Sequence, residues 1–357
     1  MDHYIGVDFH TQESTVTVMQ QDGTIMDERK LYHRDLAGID RFFSQFAPGT
    51  PVAIEATRNW YWFVDFLQGK GLAPHLVHAK KARIIAESTV KTDVLSSRIL
   101  AHLDRCNFLP SAYIADQKTR SARELLRYHM SLVRIRTSVK NKIHAILAKN
   151  NVQHSFSDLF GTAGSAFLMS LELSEVFRHE LTGYLKLLDA LKERINEVAS
   201  EIRSLCAETP STDRLRTIPG IAYFSALLLH AEIADIARFR SPKKLLAYAG
   251  LASRIHQSAD TVHHGPLIKD SNKYIRYVLI EAVPFAVRKD PKLFAFYAKI
   301  RSKKGHNKAK VATAAKLLRA VYYMLKTNSD YRIDDRRNNA FQVNPTTKLG
   351  ALHTQAR

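Results

Sequence analysis

Short strand patterns, separated by turns and helical stretches, occupy about the first 80 residues of the chain. The first strand pattern ends in an acid, and the second alternates polar and apolar side chains as a half-buried strand does. A turn signal at Asp22-Gly23 then precedes a returning third strand. Strand patterns lie at 4–8, 14–19, 24–29, 51–55 and 73–78, and helical patterns at 36–46 and 58–69. This succession predicts an α/β domain.

Three antiparallel strands followed by alternating helices and strands are typical of a sheet of the RNase H type, in which the ends of the first and fourth strands lie side by side. Asp8 ends the first strand, Glu55 ends the fourth, and Asp93 falls in the first turn of an apolar helical run. Each acid alone is more often a strand-end residue or a helix cap than a ligand. Together their oxygens suit a hard divalent cation such as Mg²⁺ or Mn²⁺, which predicts a metal site for phosphodiester chemistry.

The chain carries a formal net charge of +19 over 357 residues. Such an excess favours a nucleic-acid partner, because each phosphate that Lys or Arg neutralises releases counterions. A ribosome-associated or membrane-surface protein is the alternative. No apolar run approaches the roughly 20 residues that span a bilayer, and residues 1–4 lack the layout of a signal peptide. The lack of a spanning run predicts no membrane partner. Two cysteines without a metal-ligand pattern predict a reducing cytoplasm and no structural zinc site.

Residues 111–150 predict one long basic helix, with nine Lys and Arg against two acids. At about 100° per residue, the cations fall on one face and the apolar side chains on the other. The near absence of acids favours phosphate contact over a merely solvated face. The predicted nucleic-acid contacts are Arg120, Arg123, Arg127, Arg134, Lys142 and Lys149.

Residues 175–206 carry apolar side chains spaced alternately three and four positions apart, with charged residues outside, which is typical of a coiled coil. The seam consists of Leu181, Tyr184, Leu188, Leu191, Ile195, Val198, Ile202 and Leu205. Such a seam can pack within the chain on the basic helix, or it can form a dimer interface. The sequence leaves both open.

The segment that follows combines exposed backbone and basic groups. Pro219-Gly220 before an apolar helix presents backbone amides, which predicts a phosphate contact like that of a helix-hairpin-helix motif. Further on, Ser258 lies in a predicted loop that precedes three basic residues, Lys269, Lys273 and Arg276. A serine among cations can act as a phosphoryl-transfer nucleophile, although a loop serine by itself does not indicate that role.

With these landmarks in order, the chain resembles the DEDD-type insertion-sequence transposases, the family that also contains the Piv-type DNA invertases. The resemblance covers roughly residues 4–326. Its landmarks are Gly-Val-Asp8, Ile-Glu55-Ala-Thr, Lys-Thr-Asp93, Ile-Pro-Gly220-Ile, Tyr-Ala-Gly-Leu251, Gln-Ser258 and the segment ending in Tyr-Ile-Arg276. Their order and spacing are specific together, whereas no single landmark is.

The resemblance implies a RuvC-like domain paired with a second transposase domain. It implies Mg²⁺ bound by Asp8, Glu55 and Asp93, and attack by Ser258 on DNA to give a covalent protein–DNA intermediate. It also implies guidance by a structured bridge RNA, and an active site shared within a homo-oligomer, a dimer or tetramer joined through helical segments. Such a protein would be prokaryotic and would act at the nucleoid.

One departure from the family pattern concerns the fourth acid of Lys-Thr-Asp-x-x-Asp, which is Ser96 here. A hydroxyl can hold a metal-bound water, but the loss of a charged ligand weakens or redirects metal binding. Asp104 does not replace it, because eleven helical residues place it about 16 Å away. A second departure is Ala259 after the serine, where glycine is usual in the family. Alanine restricts the loop backbone more than glycine does.

We therefore expect a RuvC-like carboxylate domain at 1–110, a basic helix and coiled coil at 111–207, a mostly helical transposase domain at 208–328 and a loose polar tail at 329–357. The leading function is a DNA transposase or recombinase. A DNA invertase or a RuvC-like junction nuclease would share the acids, and the nuclease would not need Ser258. Ser96 motivates another alternative, a catalytically impaired protein that binds RNA or DNA.

Overall fold

The computed structural model describes residues 3–55, 59–78, 92–258 and 261–333. The chain divides into two compact units, Met1–Ala115 and Asp116–Arg357. The first unit is built on a sheet and the second is mostly helical, as the sequence predicts. The predicted middle and C-terminal segments share one hydrophobic core within the second unit.

A five-stranded sheet forms the first unit, with the strand order β3-β2-β1-β4-β5. Its strands are β1 (His3–Phe9), β2 (Glu13–Gln20), β3 (Ile25–Tyr32), β4 (Pro51–Glu55) and β5 (Ala73–Val77). The first three strands run antiparallel, whereas β4 is parallel to both β1 and β5. All five strands correspond to strand patterns in the sequence, and β1 and β4 are neighbours as predicted.

Helices cover both faces of this sheet. They are α1 (Leu36–Phe43), α2 (Trp60–Gly69) and α3 (Asp93–Arg105). Ile5, Val7 and Phe9 point into a core with α1 and α2. Because side chains alternate along a strand, Gly6 and Asp8 point to the opposite face, where α3 packs on β1. The sheet thus separates its main apolar core from the face that carries Asp8.

Nine α-helices, one short 3-10 helix (Ile236–Arg238) and one hairpin make up the described part of the second unit. The helices are α4 (Gln117–Lys149), α5 (Thr162–Ser170), α6 (Glu175–Ala207), α7 (Pro210–Arg216), α8 (Tyr223–Ile233), α9 (Pro242–Tyr248), α10 (Lys273–Lys289), α11 (Pro291–Lys304) and α12 (His306–Thr327). The strands β6 (Ser253–Ser258) and β7 (Thr261–Leu267) form the antiparallel hairpin. Among the described residues, none of the helices combines the length and apolar character that crossing a bilayer requires.

The two longest helices, α4 and α6, pack against each other. Arg194 Nε donates to the Tyr128 hydroxyl at 3.1 Å, while the Lys149 ammonium lies 6.0 Å from the centre of the Phe177 ring, so the helices run antiparallel. The predicted seam of α6 is buried within the unit, apart from the half-buried Tyr184 and Leu205. Of the two arrangements that the sequence leaves open, packing within the chain is the one observed.

Two predicted boundaries differ from the structure. Helix α4 begins at Gln117 rather than near residue 111, because the Asp116 carboxylate accepts from the Thr119 amide and caps the helix. The predicted loose tail begins with residues that pack back on the unit: the Tyr331 amide donates to Thr217 Oγ1 at 2.9 Å, and its hydroxyl donates to Asp290 Oδ2 at 2.6 Å. Burial and this bond raise the pKa of Tyr331. The remainder, 334–357, lies outside the described residues.

Candidate functional site

Asp8, His10 and Asp93 form a compact group at one end of the first unit. One ligand atom from each lies within 4.8 Å of the other two. His10 Nε2 is 3.7 Å from Asp8 Oδ2 and 3.4 Å from Asp93 Oδ1. The predicted convergence of Asp8 and Asp93 therefore includes a histidine that the sequence reasoning missed. The signal for it was its position two residues beyond the strand-end acid.

Helix α3 reaches this group because it packs unusually close to the sheet. A Cβ at Gly6 would lie only 2.0 Å from the Ser97 carbonyl oxygen, so β1 needs glycine there. The buried Ser97 hydroxyl lies 2.8 Å from Thr17 Oγ1 on β2. Arg98 pairs with Glu28 on β3 through Nε and lowers the pKa of that carboxyl by hydrogen bonding. These contacts fix the start of α3 over the end of β1.

Asp93 is the first residue of α3, but it does not cap the helix. The cap is Thr92, whose Oγ1 accepts from the Leu95 amide at 3.1 Å. Asp93 is therefore not a helix cap, the alternative role that the sequence allowed. Its half-exposed carboxylate lies close to His10.

Glu55 lies at the end of β4, next to the group but not within it. The last residue pair between β1 and β4 is Val7↔Ile54, and Asp8 and Glu55 are the next residue of each strand. Neighbouring strands are about 4.8 Å apart, so the two acids leave the sheet side by side. Glu55 is not among the three residues whose ligand atoms lie within 4.8 Å. It stands where an approaching ion could recruit it.

The donor set fits a divalent cation. Carboxylate oxygens are ligands for hard divalent ions, and imidazole nitrogen suits transition metals. The side chain of Asp8 is 5% exposed and that of Asp93 51%, which leaves an open side. The three donors could therefore hold a metal on its protein side and leave coordination positions toward solvent for water or substrate oxygens.

The two residues discussed for the fourth ligand position, Ser96 and Asp104, have different surroundings. Ser96 is half-buried one turn beyond Asp93. Asp104 is occupied elsewhere: its Oδ1 bonds His75 Nδ1 at 2.8 Å, and this bond raises the pKa of His75. Asp104 thus ties α3 to β5, in agreement with the helical spacing that excluded it from the metal site.

Ser258 is the last residue of β6 and is paired with Thr261 at the start of β7. The sequence predicted a loop there, so the hairpin was missed. Its strands carry few apolar residues and contain a glycine and a proline, which weakens any strand signal. Ala259 lies outside the described residues, so its predicted effect on the backbone is not tested.

The base of the hairpin is held by the motifs around it. The Asn272 amide donates to the Tyr248 carbonyl at 2.7 Å, and the Arg276 guanidinium approaches the Gly250 carbonyl at 3.5 Å. Gly250 has φ +67°, and a Cβ there would lie 2.2 Å from Ser271 Oγ, so this turn requires glycine. Segments that are separate in the sequence therefore form one framework beside the strands that carry Ser258.

Of the six predicted phosphate-binding cations on α4, two face a buried acid and a third is itself buried. Glu232 of α8 is 2% exposed and accepts from Arg127 Nη2 at 3.0 Å. Arg123 Nε lies 3.7 Å from the same carboxylate and donates to the Ala231 carbonyl, while Arg120 is buried. This half of α4 therefore does not present the predicted positive face to solvent, because Arg123 and Arg127 pair with an acid from a distant part of the chain and Arg120 is buried.

The remaining predicted cations are accessible, apart from the half-buried Arg276. The exposed ones are Arg134, Lys142, Lys149, Lys269 and Lys273. Gly220 is also at the surface, in the turn between α7 and α8. It has φ +90°, and a Cβ there would lie 2.9 Å from the Ala282 carbonyl oxygen. Glycine at this turn is therefore required for packing on α10, whatever else its backbone contacts.

Two family models match the chain. One, described as Transposase IS116/IS110/IS902 family, matches residues 212–298, and the DEDD transposase model of the IS110 type matches residues 5–151. Together the two ranges span well over half of the chain. The first contains the serine hairpin and its framework, and the second contains the acids and α4.

Curated relatives agree with these matches. The chain is 25% identical over 355 residues to a probable family 20 transposase of Pseudomonas aeruginosa, covering 92% of this chain and 98% of the relative. It is 23% identical over 290 residues to the transposase for insertion sequence element IS1111A of Coxiella burnetii, covering 76% of each. It is 32% identical over 147 residues to a pilin gene-inverting protein of Moraxella bovis, covering 39% of this chain and 45% of the relative. The chain therefore belongs to the IS116/IS110/IS902 family of transposases.

Proposed function

We propose that this protein cuts and rejoins DNA, with Ser258 as nucleophile and a divalent cation held by Asp8, Glu55 and Asp93. The observation that carries the proposal is the approach of Asp8 and Asp93, which are far apart in the sequence, into one group of potential metal ligands. Mg²⁺ and Mn²⁺ are the ions that suit such carboxylates in phosphodiester chemistry.

The first unit would be an RNase H-like domain. In support, three antiparallel strands precede two parallel ones, and the two strand-end acids occupy neighbouring strands. With a metal site at that position, the strand ends would hold the catalytic metal, as they do in a RuvC-like nuclease domain. The fold and the acids therefore support one proposal together.

Ser258 would carry the covalent step. Its Oγ forms a bond to phosphorus as one P–O bond of the DNA backbone breaks, the hydroxyl proton passes to solvent, and the leaving oxygen is protonated. Attack by another DNA hydroxyl on the same phosphorus then releases the serine and joins the new strand. A bound divalent cation would supply Lewis acidity and charge neutralisation at the phosphodiester. Lys269, Lys273 and Arg276 would neutralise nearby phosphates.

DNA and a structured guide RNA would be the partners of the basic surface. Arg134, Lys142 and Lys149 are exposed on α4, and the sequence holds no Asp or Glu between Glu124 and Asp158. The Gly220 turn before α8 would add a backbone contact to phosphate. Homo-oligomers would form through helical surfaces other than the buried seam of α6.

A suicide DNA substrate tests the serine. The wild-type protein is expected to give a DNA adduct that survives denaturing electrophoresis, and Ser258→Ala is expected to abolish the adduct while retaining DNA binding. Ser253→Ala, the same change at the exposed start of β6, is the matched control and should leave the adduct unchanged. An adduct of normal yield from Ser258→Ala would rule out the serine mechanism.

Two other outcomes correspond to the alternative functions. Ser96 in place of an acid favours a protein that binds nucleic acid without cleaving it, and such a protein would give no adduct in Mg²⁺ or Mn²⁺. The match to a pilin gene-inverting protein favours inversion as the product. A plasmid carrying an invertible segment and a separate donor element distinguishes inversion from transposition.

A further inference from the structure

His10 lies where the chain turns from β1 into β2, beside Asp8 and Asp93. We propose that His10 Nε2 is a ligand of the divalent cation. It takes the place of the fourth carboxylate of the family pattern, where this chain has Ser96. The resulting site of mixed nitrogen and oxygen donors favours Mn²⁺ over Mg²⁺. This inference rests on the proposed metal site and adds a ligand to it.

The three groups are close enough to bind one ion with small adjustments of their side chains. His10 Nε2 is 3.7 Å from Asp8 Oδ2 and 3.4 Å from Asp93 Oδ1. A charge-assisted hydrogen bond would be about 2.7–2.9 Å long. Around an octahedral ion with bonds of about 2.1 Å, ligand atoms are about 3.0 Å apart when adjacent and about 4.2 Å apart when opposite. Both observed distances are longer than such a hydrogen bond and lie between these two ligand–ligand distances.

The position of His10 does not depend on contact between its ring and the acids. Its amide donates to the Glu13 carbonyl at 3.0 Å, which closes the turn between β1 and β2. Its carbonyl accepts from Asn59 Nδ2, at the start of α2, at 3.2 Å. The backbone therefore holds the imidazole beside the acids before any ion binds, which reduces the ordering cost of metal binding.

The accessibility of the group fits a metal that also contacts substrate. The side chain of Asp8 is 5% exposed, whereas those of His10 and Asp93 are 47% and 51% exposed. Asp8 thus forms the floor, and His10 and Asp93 form opposite parts of the rim. An ion held there keeps open positions toward solvent, where oxygens of a phosphodiester can bind.

The chemistry of the donors sets the metal preference. Mg²⁺ prefers oxygen ligands and strict octahedral geometry, whereas imidazole suits transition metals. Replacing a fourth carboxylate by a neutral imidazole also removes one negative charge from the ligand set. The loss of charge weakens the binding of both ions, whereas the nitrogen donor offsets that loss for Mn²⁺ alone, so the site favours Mn²⁺.

Electron paramagnetic resonance on the full-length protein, with Mn²⁺ as the probe, tests this ligand. Any histidine tag must be removed, because tag imidazoles would bind Mn²⁺. Pulsed spectra of the wild-type complex are expected to show ¹⁴N modulation from one imidazole. His10→Ala should lose the modulation and bind Mn²⁺ at least about tenfold more weakly, since even outer-shell partners of metal ligands contribute that much. His10→Asp should restore Mg²⁺ binding relative to Mn²⁺.

Two controls separate this ligand from the metal site as a whole. His102→Ala removes an exposed histidine on α3 and should leave spectrum and affinity unchanged. Asp8→Asn should abolish binding at the site. If wild-type protein binds Mn²⁺ in an Asp8-dependent way without ¹⁴N modulation, or if His10→Ala keeps the modulation, His10 is not a ligand while the acid site stands. If Asp8→Asn leaves Mn²⁺ binding unchanged, the proposed metal site itself fails, and the inference fails with it.

Discussion

Gly6 illustrates how one residue in a strand sets the position of a neighbouring helix and of the site at its start. A Cβ there would lie 2.0 Å from the Ser97 carbonyl oxygen and 2.6 Å from the Ala101 amide nitrogen, both of them backbone atoms of α3. Backbone cannot rotate away as a flexible side chain can. Any larger residue must displace α3, and Asp93 at the start of α3 would move with it.

We therefore expect Gly6→Ala to lower the free energy of unfolding by about 1–3 kcal/mol, the usual cost of overpacking. It should also weaken Mn²⁺ binding, because Asp93 would move relative to Asp8. Urea denaturation and the Mn²⁺ titration measure the two effects.

Gly183→Ala is the matched control for that substitution. Gly183 lies within α6, and a Cβ there would meet nothing within 4 Å. The control should stabilise the protein by about 0.5–1 kcal/mol through helix propensity alone. Equal stability changes for the two variants would contradict the close approach of α3 to β1.

At the scale of elements, Glu232 joins three helices of the second unit. Its Oε1 accepts from Arg127 of α4, and its Oε2 accepts from Asn272 Nδ2 at 2.7 Å. Asn272 in turn caps α10, accepting from the Tyr274 and Ile275 amides, and bonds the Tyr248 carbonyl. A buried charge thus links α4 and α8 to the framework beside the serine hairpin.

Glu232→Gln should lower the free energy of unfolding by about 3 kcal/mol. Removing one partner of a buried pair typically costs about 3–5 kcal/mol, and the partial exposure of Arg127 moves the expectation to the lower end. Thermal or urea denaturation measures the change.

The control for that variant uses the same arginine. Arg127 Nη1 also contacts Glu124 Oε1 at 3.4 Å, but the Glu124 side chain is 57% exposed. Glu124→Gln should cost under about 0.5 kcal/mol, as surface pairs do. A loss as large as that of Glu232→Gln would mean that burial is not what makes the Glu232 contact strong.

For the whole molecule, the net charge of +19 is the dominant electrostatic property. Not all of the cations are available to a polyanion, since Arg123 and Arg127 neutralise Glu232. The exposed half of α4 keeps Arg134, Lys142 and Lys149, without nearby acids in the sequence. Binding to nucleic acid should therefore depend on these three more than on the arginines that precede them.

Replacing Arg134, Lys142 and Lys149 together by Gln should flatten the dependence of log K on log salt for duplex DNA. Each lost phosphate contact removes about 0.9 from the slope, so the slope should fall by about 2.7. Fluorescence anisotropy over a range of NaCl concentrations measures it.

The matched triple variant changes Lys186, Lys192 and Arg203 to Gln. These cations are exposed on α6 and interleaved with acids such as Asp189 and Glu193, so their loss should change the slope much less. Equal slopes for the two triple variants would mean that the binding surface lies away from α4.

Local patterns in the sequence were sufficient to predict the five strands of the first unit, the long helices and the acids at the strand ends. The reason is that periodicity and turn residues act within a few positions, and each element carries its own signal. The hairpin of Ser258 was missed because its strands contain too few apolar residues for such a signal. Its role as a nucleophile follows from family resemblance and stays a proposal.

Contacts between distant segments were decided by the tertiary structure alone. Helical periodicity put Arg123 and Arg127 on the same face as Arg134, but it could not reveal that Glu232 would be buried against them. Asp8 and Asp93 were predicted to meet. The position of His10 beside them depends on the turn that the Glu13 carbonyl closes and on a bond from Asn59 in a distant segment. Such pairings depend on which elements pack together, and no local window of the sequence contains that information.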